Sequence, residues 1–372
     1  MLSRVCARTY STGAGAVKVS ARESAGNLSA LTVVVDNAGS KAGKSGVAHL
    51  LSRFNFLNTE PKSALRFTRE SELLGGIVSS NVTRDAIVLK TQFLKQDLPY
   101  YVEALGNVLA KTSFRPHELP EQVLPVALAE TEAAYASNEF TAVEELHQLS
   151  FRTGLGQPLY YDGVSKVTLD DIKEFASKAY TASNVTVYGS GVNADDLNKF
   201  ISESAFSELS SGTSSTPATK SFNNKESRIR ATGESVAVIG VPVKPADFGK
   251  YELLSAAVGS SVLAGAPSPL SKIAGATSKL YKYKDAGLFV VSVKGADAKA
   301  VASGIKEAKN VVSSVSDVKE ATKLAELAVA LQTSFDNPLD IKISGSASPA
   351  KLTNFNYVAV GDVDVLPYID EL

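Results

Sequence analysis

The chain repeats itself, and that limits what it can fold into more than any other feature. Residues 181–197 read TASNVTVYGSGVNADDL and residues 351–369 read KLTNFNYVAVGDVDVLPYI. Each stretch has an Asn, an alternating apolar run, a Gly and an apolar–acidic tail. Asn184 and Gly191 match Asn354 and Gly361 at the same spacing. The beginnings match too: SALTVVVDNAGS and ESVAVIGVPVKPAD are both short β-branched strands leading to a helix, GVAHLLSRFNF in one copy and FGKYELLSAAVGSSVLA in the other. The repeated unit is roughly 200 residues long, far beyond a solenoid period, so the duplication predicts two homologous domains. With 372 residues there is enough chain for two cores.

Between the copies lies a Ser/Thr/Pro-rich stretch, 207–227, with too few apolar residues to bury a core; it reads as a linker. The expected domains are 17–206 and 228–372. Within the first, β-branched or alternating runs predict strands over 31–35, 76–81 and 86–93. Helical spacing of Tyr101, Ala104, Leu105, Val108 and Leu109 predicts a helix over 98–112, and another is expected over 120–136. Strand runs lie next to each other between helices, so the fold class is α+β, each domain a mainly antiparallel sheet flanked by helices.

Thirty-eight basic residues nearly balance thirty-nine acidic ones, which leaves no electrostatic reason to expect nucleic acid or an anionic membrane surface as partner. The longest apolar-leaning run, 253–266, is shorter than the roughly 20 residues that span a bilayer. A single cysteine, Cys6, allows no intrachain disulfide and no thiolate cluster. The first residues hold Arg4, Arg8, Lys18 and Arg22 among serines and threonines, with no acid before Glu23. That composition predicts a mitochondrial presequence over 1–16, cut near Tyr10–Ser11 or shortly before Val17.

Chemistry has few places to reside. On the helix GVAHLLSRF, Val47, Leu50, Leu51 and Phe54 form the apolar face, and His49 and Arg53 stand one turn apart on another. Two histidines at that spacing grip zinc from one helix, with a glutamate between them as general base. Here Ser52 occupies the place of the base, and Arg53, a permanent cation, that of the second ligand. Read alone, His49 is a packed or solvated helix histidine. His117, after a proline, and His147, in EELHQLSF, have no spacing that joins them to it. Cys6 lies in the leader, no G-x-S-x-G elbow is present, and 263–274 lacks the order of a phosphate loop.

These runs, with ESELLGGIVSSNVTRDAIVLK and LSFRTGLGQPLYYDG, resemble the pitrilysin-like inverted-motif zinc peptidases over essentially the whole chain. Gly46, His49, Thr59, Gly75, Gly76, Pro158, Leu159 and Gly163 occupy the places of that family's pattern. The resemblance implies two clasped α+β domains forming a bowl. It puts Ala127 at the position of the third, carboxylate ligand, with Glu130 and Glu132 about one turn off. With His49, Ser52 and Arg53 as a degenerate motif, it implies an inactive member with no catalytic residue, no metal and no cofactor. Within the family, VAHLLSRFNF, RESELLGG, DLPYYVEAL and FNYVAVGDVDVLPYIDEL are similar to the non-catalytic core subunits of the mitochondrial respiratory-chain cytochrome bc complex. Implied partners are core protein 1, cytochrome b, the c-type cytochrome and small subunits, in a dimeric complex holding two copies of this chain. The chain would be peripheral to the inner membrane on its matrix side. The alternative is the substrate-binding, non-catalytic subunit of the mitochondrial processing peptidase. That subunit carries a Gly-rich loop, whereas the matching stretch here, 260–280, has two prolines and no glycine run. An active zinc peptidase would need a site this sequence lacks.

Overall fold

The computed structural model describes residues 8–10, 17–212, 218–263, 268–314, 321–333, 352 and 354–372. Apart from Arg8–Tyr10, the expected leader 1–16, Cys6 included, lies outside the described residues, as do 213–217 of the linker and 264–267 of the loop stretch.

Along the chain run β1 (Arg8–Tyr10), β2 (Lys18–Arg22), β3 (Leu28–Asp36), α1 (Val47–Phe54), α2 (Ala64–Leu73), β4 (Ile77–Val82), β5 (Ala86–Leu94) and α3 (Leu98–Ala110). There follow α4 (Leu124–Tyr135), α5 (Asn138–Phe151), α6 (Leu169–Ala179), β6 (Val185–Ser190) and α7 (Ala194–Glu203). The second half gives β7 (Glu226–Arg230), β8 (Ser235–Val243), α8 (Phe248–Val258), β9 (Ala276–Lys282), β10 (Gly287–Gly295), α9 (Ala298–Ser314), α10 (Ala321–Thr333) and β11 (Asn356–Gly361). The strands form two sheets, ordered β1-β2-β6-β3-β5-β4 and β7-β11-β8-β10-β9. Setting β1 aside, the two orders are the same strand for strand. Each sheet is antiparallel except for one parallel pair, β2 with β6 and β7 with β11. The repeat in the sequence is thus a repeat of topology.

The first unit comprises 1–131 and 158–217. Leu31, Val33 and Val35 of β3 and Ile87, Leu89 and Phe93 of β5 alternate onto one face of its sheet. There they meet Leu50 and Leu51 of α1, Tyr101 and Leu105 of α3, Ile172 of α6 and Leu197 of α7.

In the second unit, 132–157 and 218–372, the sheet is covered on both faces. Ile239, Phe289, Val291 and Tyr357 pack with Leu254 of α8 and with Val301 and Ile305 of α9. On the other face, Val236, Val238, Leu288, Val290, Val358 and Val360 pack with Ala142, Leu146 and Phe151 of α5. The strands accordingly read as near-continuous apolar runs instead of alternating ones. This differs from the expected division at 17–206, because 132–157 joins the second unit. The physical reason is that doubly apolar strands need a second cover, and α5 supplies it. Gly240 of β8 makes the fit possible: a Cβ there would lie 2.6 Å from Leu146 Cδ2.

The described ends of the linker are each fastened to their own unit. Ala182 N–H donates to the Ser210 carbonyl (2.9 Å) in the first. In the second, Phe222 N–H donates to the Ser150 carbonyl (2.8 Å) and the Phe222 ring lies under the Arg152 guanidinium. Among the described residues no helix is long and apolar enough to cross a membrane.

Candidate metal centre

Helix α1 opens at Gly46, whose φ of 82° is left-handed and whose absent Cβ leaves room for Tyr161, 2.4 Å from where that atom would sit. The loop bearing Pro158, Tyr160 and Tyr161 therefore closes directly onto the helix. Every residue of α1 except Arg53 is buried, so His49 and Ser52 lie inside along with the predicted apolar face.

His49 is 1% exposed and both its ring nitrogens are engaged. Tyr161 N–H donates to Nδ1 at 3.0 Å, and Nε2 lies 2.8 Å from Glu130 Oε2. A nitrogen that accepts from a backbone amide carries no proton of its own, so the proton is on Nε2 and the ring donates to Glu130. Burial pushes the His49 pKa below its ordinary value; Glu130 opposes that shift and Arg53 adds to it. The ring is neutral. Tyr160 lies against it, ring centroids 4.8 Å apart.

Arg53 takes the other half of the carboxylate: Nη1 donates to Glu130 Oε1 at 2.9 Å. Its Nη2 donates to the Ser80 carbonyl on β4 and its Nε to Ser52 Oγ at 3.3 Å. Ser52 Oγ in turn donates to the His49 carbonyl (2.6 Å), a bond within the helix that leaves it no role as a base. The Thr131 hydroxyl of α4 lies 2.7 Å from the Tyr161 carbonyl and 2.8 Å from the Ala127 carbonyl and shares its one proton between them, which completes a ring of contacts among α1, α4, β4 and the loop.

The site thus brings His49, Ser52 and Arg53 together with a carboxylate that the sequence placed a turn away. Ala127, the aligned ligand position, is fully buried, and its methyl side chain contributes only packing. Glu130, one turn later on the same face of α4, reaches both His49 and Arg53. Side chains on a helix lean toward its N-terminus, so a long residue at i+3 covers the level of residue i. Glu132 is exposed. Tyr161, Ser80 and Thr131 also escaped the sequence reading, since two of them act through backbone atoms.

Zinc does not fit these residues. A tetrahedral site wants three or four donors about 2.0–2.2 Å from the metal, which sets neighbouring donors roughly 3.3 Å apart. Here two such groups stand at hydrogen-bond distance from each other and a guanidinium holds the carboxylate. Among the described residues, no group of three or more His, Cys, Asp or Glu side chains is placed to hold a metal. His117 is exposed. His147 is buried in the second unit, where Nδ1 lies 2.7 Å from the Val143 carbonyl and Nε2 lies 2.6 Å from the Tyr283 hydroxyl.

A family model described as insulinase (peptidase family M16) matches residues 18–163, and one described as peptidase M16 inactive domain matches 166–321. The chain is 67% identical to the mitochondrial cytochrome b-c1 complex subunit 2 of Debaryomyces hansenii, over 100% of both chains. It is 45% identical to the protein of that name from Saccharomyces cerevisiae, over 95% of each. The Homo sapiens protein of that name is 25% identical over 60% of this chain and 49% of its own length. A sheet order repeated in two units, two matching family models and likeness along the full length lead to one conclusion: the chain belongs to the M16 peptidase family, in the group formed by subunit 2 of the mitochondrial cytochrome b-c1 complex.

Proposed function

We propose that the chain is a non-catalytic structural and assembly core subunit of the mitochondrial cytochrome b-c1 complex, ubiquinol–cytochrome c reductase, and supports electron transfer from ubiquinol to cytochrome c without carrying a redox centre. The observation that carries the proposal is the 67% identity, along the whole of both chains, to a subunit 2 of that complex. The Arg53 guanidinium on Glu130 supports the absence of hydrolysis, since it stands where a peptidase of this family holds its second metal ligand. The processing-peptidase alternative is not favoured, because the relatives found carry the complex III name.

In this reading the chain contacts core protein 1, cytochrome b, the c-type cytochrome and small subunits, in a dimeric complex with two copies of itself. It lies peripherally on the matrix side of the inner membrane, and residues 1–16 are removed as a presequence. The test is to purify the chain with its natural partners and record the visible spectrum. Co-purifying b- and c-type haem is the expected result. A haem-free complex that cleaves presequence peptides would overturn the proposal.

A further inference from the structure

We propose that the Tyr161 backbone amide is a tautomer lock on His49, and that this amide would keep the ring from ligating a metal even if a second ligand were restored. A histidine binds metal through a nitrogen lone pair, and its other nitrogen then carries the proton and donates it to an acceptor. At His49 the arrangement is reversed. The nitrogen that faces Glu130, Nε2, carries the proton, because Nδ1 accepts from Tyr161 N–H. Were Nε2 to give up that proton to Nδ1, two N–H groups would meet at Nδ1 across 3.0 Å inside a site where the ring is 1% exposed.

The amide is not free to turn away. Its residue is held chiefly by its ring, which packs where Gly46 has no Cβ, and also by its own carbonyl, which shares the Thr131 hydroxyl proton with the Ala127 carbonyl. The replacement of the motif's glutamate and second histidine by Ser52 and Arg53 is visible in the sequence; this second block resides in a backbone atom. Tyr161 is thus a positioning residue: it makes His49 a donor that orients Glu130 for Arg53.

The inference deepens the non-catalytic reading but is tested separately from it, since the haem spectrum addresses assembly and the following experiment addresses only the ring. The chain has three histidines, so labelling histidine with nitrogen-15 in the full chain gives three imidazoles. His49→Gln and His147→Gln variants identify their signals. Long-range proton–nitrogen correlations at a pH above the histidine range should show His49 with its proton on Nε2. His147 should show the opposite tautomer, because its Nδ1 faces the Val143 carbonyl and its Nε2 the Tyr283 hydroxyl. A His49 ring protonated on Nδ1 would overturn the proposal. As a second measurement, Arg53→His is titrated with zinc alone and beside Arg53→His/Tyr161→Pro, which lacks the amide proton. Zinc binding at least tenfold tighter in the double variant is expected; equally tight binding by Arg53→His would also overturn the lock. If the double variant does not fold, the labelled wild-type ring decides.

Discussion

Glu130 divides its two oxygens between a buried imidazole and a guanidinium, and it is about a third exposed. Water therefore screens the pair, and its contribution is modest. Glu130→Gln should lower stability by about 1–2 kcal/mol, chiefly because Arg53 loses its charged acceptor, and a denaturant titration reads the loss. Glu70 on α2 gives a pH signature. Arg66 first, then Lys62 and the Tyr100 hydroxyl, hold its carboxyl down to about 2 from an ordinary 4.5. A carboxyl with a depressed folded pKa contributes stability above its unfolded value and loses it as protons are taken up. The Glu70 share should therefore disappear as pH falls from 4.5 toward 2, and Glu70→Gln should flatten the acid arm of the stability curve there. A carbon-13 titration placing the Glu70 carboxyl at 4.5 would contradict this. At this scale the sequence yielded His49, Ser52 and Arg53, because their spacing on one helix is a local fact. It did not yield Tyr161 or Ser80, whose backbone groups belong to other elements and carry no signature of residue type.

The elements of the first unit follow the sequence closely. Strands expected over 31–35, 76–81 and 86–93 are found as Leu28–Asp36, Ile77–Val82 and Ala86–Leu94, and the helix expected over 98–112 as Leu98–Ala110. The helix expected over 120–136 begins instead with the π-helical turn Leu119–Val123, a change of hydrogen-bond step that apolar spacing does not reveal. Helix α5 was the harder case. Its residues suit any apolar sheet, and only the doubly apolar strands β8, β10 and β11 define which sheet it covers. Gly240 is the point of closest fit, and a larger residue there must displace the fully buried Leu146. Gly240→Val should destabilise the chain by about 1–3 kcal/mol through overpacking. In the opposite sense, Leu146→Ala should cost about 2–5 kcal/mol by leaving a cavity under α5. Calorimetry on the two variants checks both. A neutral Gly240→Val would mean that α5 does not press on β8.

For the whole molecule, the duplication in the sequence became two sheets of the same order, one covered on both faces by helices. Such a scaffold survives loss of chemistry, because Val47, Leu50, Leu51 and Phe54 pack α1 regardless of what Ser52 and Arg53 can do. In the proposed role this chain holds an electron-transfer assembly together and performs no reaction of its own. The direct measurement is ubiquinol–cytochrome c turnover per haem b in complexes purified from cells whose only copy of the chain carries His49→Gln and Glu130→Gln. Turnover per haem equal to that of the unsubstituted complex is expected, with any loss confined to the yield of assembled complex. Turnover per haem that falls while the chain is present at full occupancy would contradict it.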